Sequence, residues 1–241
     1  MFPETFGDFY EPFLGAGHVF SRMYKSHGEG HSYVLSDTDE DLVLMWAALQ
    51  KTPELYIDEF VHLCNTHSKE RYYLRLERYE DTGDPALFWY VSRATYASKP
   101  PLSHRLPVGD RSSEFSNLLH MSRDSSVVRS VHTLSSTLEV YIACCDYEQS
   151  VITASAGDLV FLDPPYSGTS ISYGLSCPFD QGRLARCAVS LADQGVYVYA
   201  TNYLTDETKR LYREFNMTHL VDSQSYRLKR RKIPEVVFHN Q

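Results

Sequence analysis

The sequence has no apolar run near the length of a membrane-spanning helix. Its opening residues, Met1-Phe2-Pro3-Glu4-Thr5, lack the basic segment and apolar core of a secretory signal. Both absences predict an intracellular chain that is neither secreted nor membrane-bound, residing in the cytoplasm or wherever its partner is found. The five cysteines (Cys64, Cys144, Cys145, Cys177 and Cys187) form no C-x-x-C pair. That argues against a zinc knuckle and a disulfide framework, and it fits a reducing compartment. The ten histidines show no metal-ligand spacing; His62 and His67, five residues apart, would not share a helix face, so no metal is expected. A net positive charge is also missing. The formal charge of -8 argues against a non-specific nucleic-acid coat but leaves room for one local basic face. No internal repeat or long low-complexity segment interrupts the chain.

With 241 residues, 43% of them hydrophobic and 22% charged, the chain suits one large α/β domain, or one domain with an insertion. In the first third, strand and helix alternate. Phe9 to Phe13 reads as a strand, Val19 to Lys25 as a helix and Ser32 to Leu35 as a second strand. From Asp39 to Gln50, Leu42, Val43, Trp46 and Leu49 recur at helical spacing. That order implies a right-handed parallel crossover. From about residue 51 to 136 the character changes to helical segments and a turn-rich excursion, and this stretch reads as an inserted module. Its tyrosines, Tyr72 to Tyr96, are expected mainly as helix core rather than as stacking platforms. The α/β rhythm resumes with strands at Val140 to Cys144, Leu159 to Leu162, Val196 to Ala200 and Glu235 to Phe238. Helices are expected from Arg183 to Ala192 and after Thr205.

Two places carry chemistry. Leu159-Val160-Phe161-Leu162 reads as a buried strand that stops abruptly at Asp163-Pro164-Pro165-Tyr166. An acid, rigid carbonyls and an aromatic ring then stand at the carboxyl end of a strand, where open α/β sheets bind ligands. These parts can hold a planar base that carries an amine. The second place is Glu11-Pro12-Phe13-Leu14-Gly15-Ala16-Gly17, a strand leading through glycines into a helix. A dinucleotide fingerprint would need a third glycine where Phe20 stands, and no Walker lysine is present. Asp37 lies 20 residues after Gly17 at the end of the next strand, where an acid can accept from ribose hydroxyls. A nucleoside cofactor without a diphosphate fits, and S-adenosylmethionine is the obvious one.

Residues 11 to 20, 36 to 42, Cys145-Asp146-Tyr147 and 158 to 166 occur in an order that resembles the blocks of the Dam-like DNA adenine-N6 methyltransferases, the D12 class. Thr201-Asn202-Tyr203 and Glu235-Val236-Val237 resemble the family's later blocks. The resemblance implies a Rossmann-like α/β methyltransferase fold. Residues 1–50 and 137–241 would form the catalytic domain, and the mostly helical 51–136 would be an inserted target-recognition module. It implies S-adenosylmethionine-dependent methylation of a flipped adenine in double-stranded DNA, in the setting of DNA methylation or restriction-modification, by a monomer or weak dimer. Phe13, Gly15 and Gly17 would line the cofactor, with Glu11 and Pro12 near its methionine end. Asp37 would bind the ribose, and Asp146 and Tyr147 the cofactor adenine. Asp163 and the Pro164 carbonyl would hold the target amine, Pro165 would stiffen the turn, and Tyr166 would stack on the base.

Two blocks depart from the family pattern. An aromatic-x-Gly-x-Lys segment is unmatched in the roughly ten residues before the first block. The recognition hairpin is matched only poorly, by Arg105-Leu106-Pro107-Val108-Gly109, so no target sequence is implied. Two alternatives stay open: an RNA adenine-N6 methyltransferase, and a catalytically silent binding module. Arg93, Arg105 and the basic run Lys229-Arg230-Arg231-Lys232 are expected to face the nucleic acid. Replacing those four 229–232 cations by Ala is predicted to weaken DNA binding across sequences. Each lost phosphate contact should flatten the log–log salt dependence by roughly 0.9. Titrations from low to high salt would read this, and an unchanged slope would place the cluster away from the DNA.

Overall fold

The computed structural model describes residues 2–28, 30–94, 139–167, 179–220 and 234–241. Arg105 and Lys229 to Lys232 lie outside these residues. In chain order the described elements begin with β1 (Phe9–Glu11), α1 (His18–His27), β2 (Tyr33–Asp37), α2 (Glu40–Lys51), α3 (Pro53–Asn65), α4 (Lys69–Thr82) and α5 (Pro85–Ala94). They continue with β3 (Val140–Cys144), α6 (Tyr147–Ser150), β4 (Leu159–Leu162), α7 (Gln181–Asp193), β5 (Tyr197–Tyr203), α8 (Asp206–Leu211), β6 (Asn216–His219) and β7 (Glu235–His239). The chain divides into two compact units. One comprises Met1–Leu14, Gly30–Ser36 and Cys145–Gln241; the other comprises Gly15–Glu29 and Asp37–Cys144.

The first unit is built on a sheet in the order β2-β1-β4-β5-β7-β6. β1 pairs in parallel with β2 and β4, and β4 pairs in parallel with β5 in the register Val160↔Val198. β7 runs antiparallel between β5 and β6. Every residue of the apolar run Leu159–Leu162 is buried, as a central strand covered on both faces requires. Leu184, Ala188 and Leu191 recur at helical spacing along α7 and join Val160, Leu162, Val198, Ala200 and Phe238 in one core. The strand order changes direction between β1 and β4, so Glu11 and Asp163 both stand at carboxyl ends of strands flanking the switch point. This is the Rossmann-like arrangement of the S-adenosylmethionine-dependent methyltransferases, with a helical region inserted in the chain between β2 and β3.

Two elements are absent from the expectations drawn from sequence, β6 and the short α6. Asn216-Met217-Thr218-His219 carries no apolar alternation because it is an edge strand, largely exposed along its length. α6 is a single turn organised by a cap, since the Asp146 carboxylate accepts from the Glu148 N–H at 3.0 Å.

The second unit is mainly helical. Asp39 caps α2 by accepting from the Leu42 N–H, Ser68 caps α4, and the Asp84 carboxylate accepts from the Ala86 and Leu87 amides at the start of α5. α5 is the central helix, buried from Ala86 to Val91 and packed against α2, α3 and α4. Trp89 stacks on Phe60 at 3.9 Å between ring centroids. The Tyr90 hydroxyl pairs with His67 Nδ1 at 2.6 Å, and the Arg75 guanidinium lies 4.8 Å from the centre of its ring. Burial pushes the Cys64 thiol up to about 12, consistent with a packed, unreactive side chain. Tyr72 and Tyr90 belong to this core, whereas Tyr73 is exposed; Tyr96 lies outside the described residues.

Leu184→Ala is predicted to destabilise the first unit by about 2–5 kcal/mol, the range for removing a fully buried leucine. Denaturant unfolding followed by circular dichroism would measure it. A loss below about 0.5 kcal/mol, the level of a surface substitution, would contradict the packing of α7 on the sheet.

Candidate active site

Strand β4 ends on a turn that is only partly held by its own bonds. Pro164 and Pro165 have no N–H to donate, so the remaining bonds that hold the turn must come from neighbouring elements. β5 and α7 provide them. The Thr201 hydroxyl donates to Asp163 Oδ1, which also accepts from the Tyr166 hydroxyl at 3.1 Å. Gln181, the first residue of α7, donates through Nε2 to the Pro165 carbonyl at 2.7 Å. Gln181 Oε1 accepts from Asn202 Nδ2 at 2.9 Å, and Asn202 Oδ1 accepts from the Ser167 N–H at 3.1 Å. The Tyr166 ring meets Tyr203 edge-on at 4.9 Å. Among the described residues, no donor reaches Asp163 Oδ2 or the Pro164 carbonyl.

Asp163 is exposed to solvent, so the desolvation of its carboxyl group is partial. This desolvation raises its pKa above the ordinary 3.8. The bonds from Thr201 and Tyr166 oppose the rise, and the nearby charge of Glu235 adds to it. Burial likewise raises the Tyr166 hydroxyl, with the Asp163 charge as the next cause, so Tyr166 stays a neutral donor.

A second grouping in the same unit surrounds Asp146. Tyr147 stacks on Phe13 at 5.5 Å, and Phe179 meets Phe13 edge-on at 5.8 Å. Arg183 reaches back from the first turn of α7. Its two terminal nitrogens lie 3.1 and 2.8 Å from the two oxygens of Asp146, one of them is also 2.6 Å from Glu148, and its guanidinium carbon sits 5.0 Å from the Tyr147 ring centre. These carboxylates hold the guanidinium firmly in its charged form. Glu11, the last residue of β1, is buried at 2% exposure, and Pro12 follows it, also buried.

In the other unit the glycine turn and Asp37 form a third grouping. Gly15 and Gly17 have φ of +47° and +64°, left-handed values that a side chain would strain. Asp37 Oδ2 accepts from the Gly15 N–H at 3.0 Å, Asp37 Oδ1 accepts from the Asp39 N–H at 3.1 Å, and the Trp46 indole donates to the Gly15 carbonyl at 3.0 Å. Arg93 is half-buried near the C-terminal end of α5, where desolvation lowers its pKa. Its charge lies close enough to His18 to lower that imidazole further, after burial.

The residues singled out in the sequence thus fall into three local groupings: Asp163 with Tyr166, Phe13 with Tyr147 and Asp146, and Gly15 with Asp37. Gln181, Arg183 and Phe179 were not singled out. Polar residues after the apolar run Val196 to Ala200 were a signal for Thr201 and Asn202, but Gln181 has no comparable signature in the sequence. Among the described residues, no group of three or more His, Cys, Asp or Glu could hold a metal ion, and no helix is long and apolar enough to cross a membrane.

A pKa raised in the folded state means that stability is lost as pH rises. Below 3.8, Asp163 is neutral whether folded or unfolded and costs nothing; above 3.8, the unfolded chain ionises first, and burial opposes the charge. Asp163→Asn is therefore predicted to be slightly more stable than wild type at neutral pH, because solvent screens much of the effect at this exposed residue, with the small advantage shrinking to nothing as pH falls toward 3.8. Unfolding midpoints of both proteins across that range would test it. Equal midpoints at neutral pH would count against a desolvated carboxylate.

Residues 1–225 match the family described as D12 class N6 adenine-specific DNA methyltransferase. The chain is 24% identical to the type II methyltransferase M1.LlaDCHI of Lactococcus lactis subsp. cremoris, over 100% of this chain and 88% of that protein. It is 24% identical to the DNA adenine methylase of Escherichia coli strain K12, over 84% of this chain and 74% of that one. Among solved structures, the rRNA methyltransferase aviRa from Streptomyces viridochromogenes matches with a TM-score of 0.36 and 16% identity, covering 98% of this chain and 78% of that one. At that TM-score the structural likeness carries no argument. The family match does: this chain belongs to the D12 class of N6 adenine-specific DNA methyltransferases, and its reaction is the S-adenosylmethionine-dependent methylation of adenine N6 in DNA.

Proposed function

We propose that the turn Asp163-Pro164-Pro165-Tyr166 holds the amino group of an adenine extruded from the DNA duplex. We also propose that Phe13, Asp146 and Tyr147 receive the adenine of S-adenosylmethionine. The observation that carries the first part is the division of labour on Asp163. Thr201 and Tyr166 occupy Oδ1, while Oδ2 and the neighbouring Pro164 carbonyl keep their acceptor capacity among the described residues. Two acceptors on successive residues match in number the two N–H bonds of an exocyclic amine. That amine is a poor nucleophile because its lone pair is delocalised into the purine ring. Accepting both N–H bonds in a near-tetrahedral arrangement localises the pair on nitrogen and aims it. The amine cannot be approached inside a base stack, so the base must leave it, and Tyr166, bonded to Asp163, is the ring that would stack on it.

The aromatic cluster suits the cofactor chemically. Phe13, Tyr147 and Phe179 make an apolar aromatic cluster beside Asp146, which supplies the acceptor. A carboxylate offers about four acceptor positions. The Glu148 amide and Arg183 take three of them, which leaves one on Oδ2 for an exocyclic amine. Bound there, the cofactor supplies an electrophilic methyl on its sulfonium. By family correspondence, Glu11, Pro12, Gly15, Gly17 and Asp37 make further cofactor contacts and Pro165 forms part of the turn. By charge, Arg93, Arg105 and Lys229 to Lys232 contact the DNA.

Asp163→Ala is expected to leave cofactor affinity within about twofold and to reduce methyl transfer by roughly 100-fold or more, because it removes interactions used in the transition state. Tyr166→Ala is expected to weaken capture of the base by about 1–3 kcal/mol. The assay is tritiated methyl transfer to unmethylated genomic DNA and to total RNA, followed by nucleoside mass spectrometry. N6-methyladenine in DNA that disappears in Asp163→Ala supports the proposal. Full activity in that variant sinks the assignment of the turn, and label confined to RNA sinks the DNA substrate.

A further inference from the structure

Asn202 is fully buried and Gln181 is 6% exposed, yet both carry primary amides, which are costly to desolvate. Their bonds form a relay in which each orientation dictates the next. Asn202 Oδ1 faces two backbone donors, the N–H of Ser167 at 3.1 Å and the N–H of Tyr203 at 2.9 Å. Its amide oxygen must therefore point that way, and its NH2 must point at Gln181. The 2.9 Å contact between them then forces Gln181 Oε1 toward Asn202. That leaves the Gln181 NH2 aimed at the Pro165 carbonyl, 2.7 Å away. Two backbone positions of the turn's exit, Pro165 and Ser167, are thus tied through one amide pair to the end of β5 and the first residue of α7.

The geometry points to Asn202 and Gln181 as positioning residues for methyl transfer, acting through the backbone of the Pro164–Pro165 turn. This rests on the proposal that the turn holds the target amine. The Pro165 carbonyl is drawn onto Gln181, and the intervening proline rings allow little rotation, so the direction of the Pro164 carbonyl follows. Thr201 sets Asp163 from the same strand, one residue earlier. The two acceptors meant for the amine are therefore referenced to one rigid piece of sheet, where an error of about 1 Å costs on the order of 100-fold in rate. An apolar pair of similar size would fill the same space without these bonds, so the amides contribute direction rather than volume.

Single-atom changes at either end test the relay. In Asn202→Asp the side chain still accepts from Ser167 and Tyr203 but no longer donates to Gln181. Gln181 should then turn its NH2 toward Asp and present an oxygen to the Pro165 carbonyl. In Gln181→Glu an ionised carboxylate faces that carbonyl directly. A buried glutamate, its pKa raised by desolvation, regains a donor when protonated, so this defect should be relieved by acid.

The measurement is the single-turnover rate of methyl transfer to unmethylated genomic DNA, with cofactor affinity read by calorimetry. Both variants are expected to lose roughly 10–100-fold in rate while cofactor affinity stays within about threefold. The loss in Gln181→Glu should shrink as pH falls from about 8 to about 6, relative to wild type. Folded variants that transfer methyl at the wild-type rate overturn the inference. So does a loss that follows cofactor affinity, or one that is flat with pH. If the charged variants do not fold, Gln181→Met removes both bonds without adding charge, and the same loss in rate is expected of it. A wild-type chain that forms no N6-methyladenine would instead defeat the reading of the turn itself.

Discussion

The proposed site depends on one constraint: a carboxylate must stand at the end of a fully buried strand with one oxygen held and, among the described residues, the other free of donors. Burial opposes the charge on Asp163, and two hydroxyl donors on Oδ1 offset part of that cost. Those donors come from β5 and from the turn itself, so the acid is stabilised by the framework that aims it. The consecutive prolines follow from the same requirement. They remove two donors that would compete for nearby acceptors and stiffen the carbonyls beside the acid.

α7 links this turn to the Asp146 grouping within the same unit. Its first residue braces Pro165, and two residues on, Arg183 binds both oxygens of Asp146. The rest of α7 is anchored by Leu184, Ala188 and Leu191 in the core. A packed helix of ordinary amphipathic composition therefore presents two different polar groups from its first turn. The Arg183 contact with Asp146 also makes Asp146 more than a free acceptor: its carboxylate already caps α6 and holds a guanidinium. Asp37 likewise makes a structural bond in the other unit, where it shapes the left-handed glycine turn through the Gly15 amide.

The helical unit shows why aromatic richness alone is a poor guide to base stacking. Tyr72 and Tyr90 lie among arginines in the sequence, a pattern that suits nucleic acid. In the structure both are buried, and Arg75 covers Tyr90 while also bonding the Leu63 carbonyl at 2.7 Å. Cation and ring satisfy each other inside the unit. Arg93, chosen from sequence as a cation for DNA, is half-buried, with desolvation lowering its pKa.

Much of the framework was legible in the sequence because hydrophobic period and punctuation are local signals. The run Leu159–Leu162 ended by two prolines, the glycines before α1 and the apolar spacing of α7 each predict an element with its neighbours unknown. The order of the motif blocks carried the family. Edge strand β6 was not legible, because exposed residues on a sheet margin need no apolar alternation. Nor could sequence reveal that Gln181 meets Pro165, that Arg183 holds Asp146, or that Asp163 keeps one oxygen free of donors among the described residues. Those are contacts between residues 16 to 38 positions apart, and only the pairing of β4 with β5 and the packing of α7 bring them within reach. Local chemistry chose the residue types; tertiary packing decided which of their lone pairs were already taken.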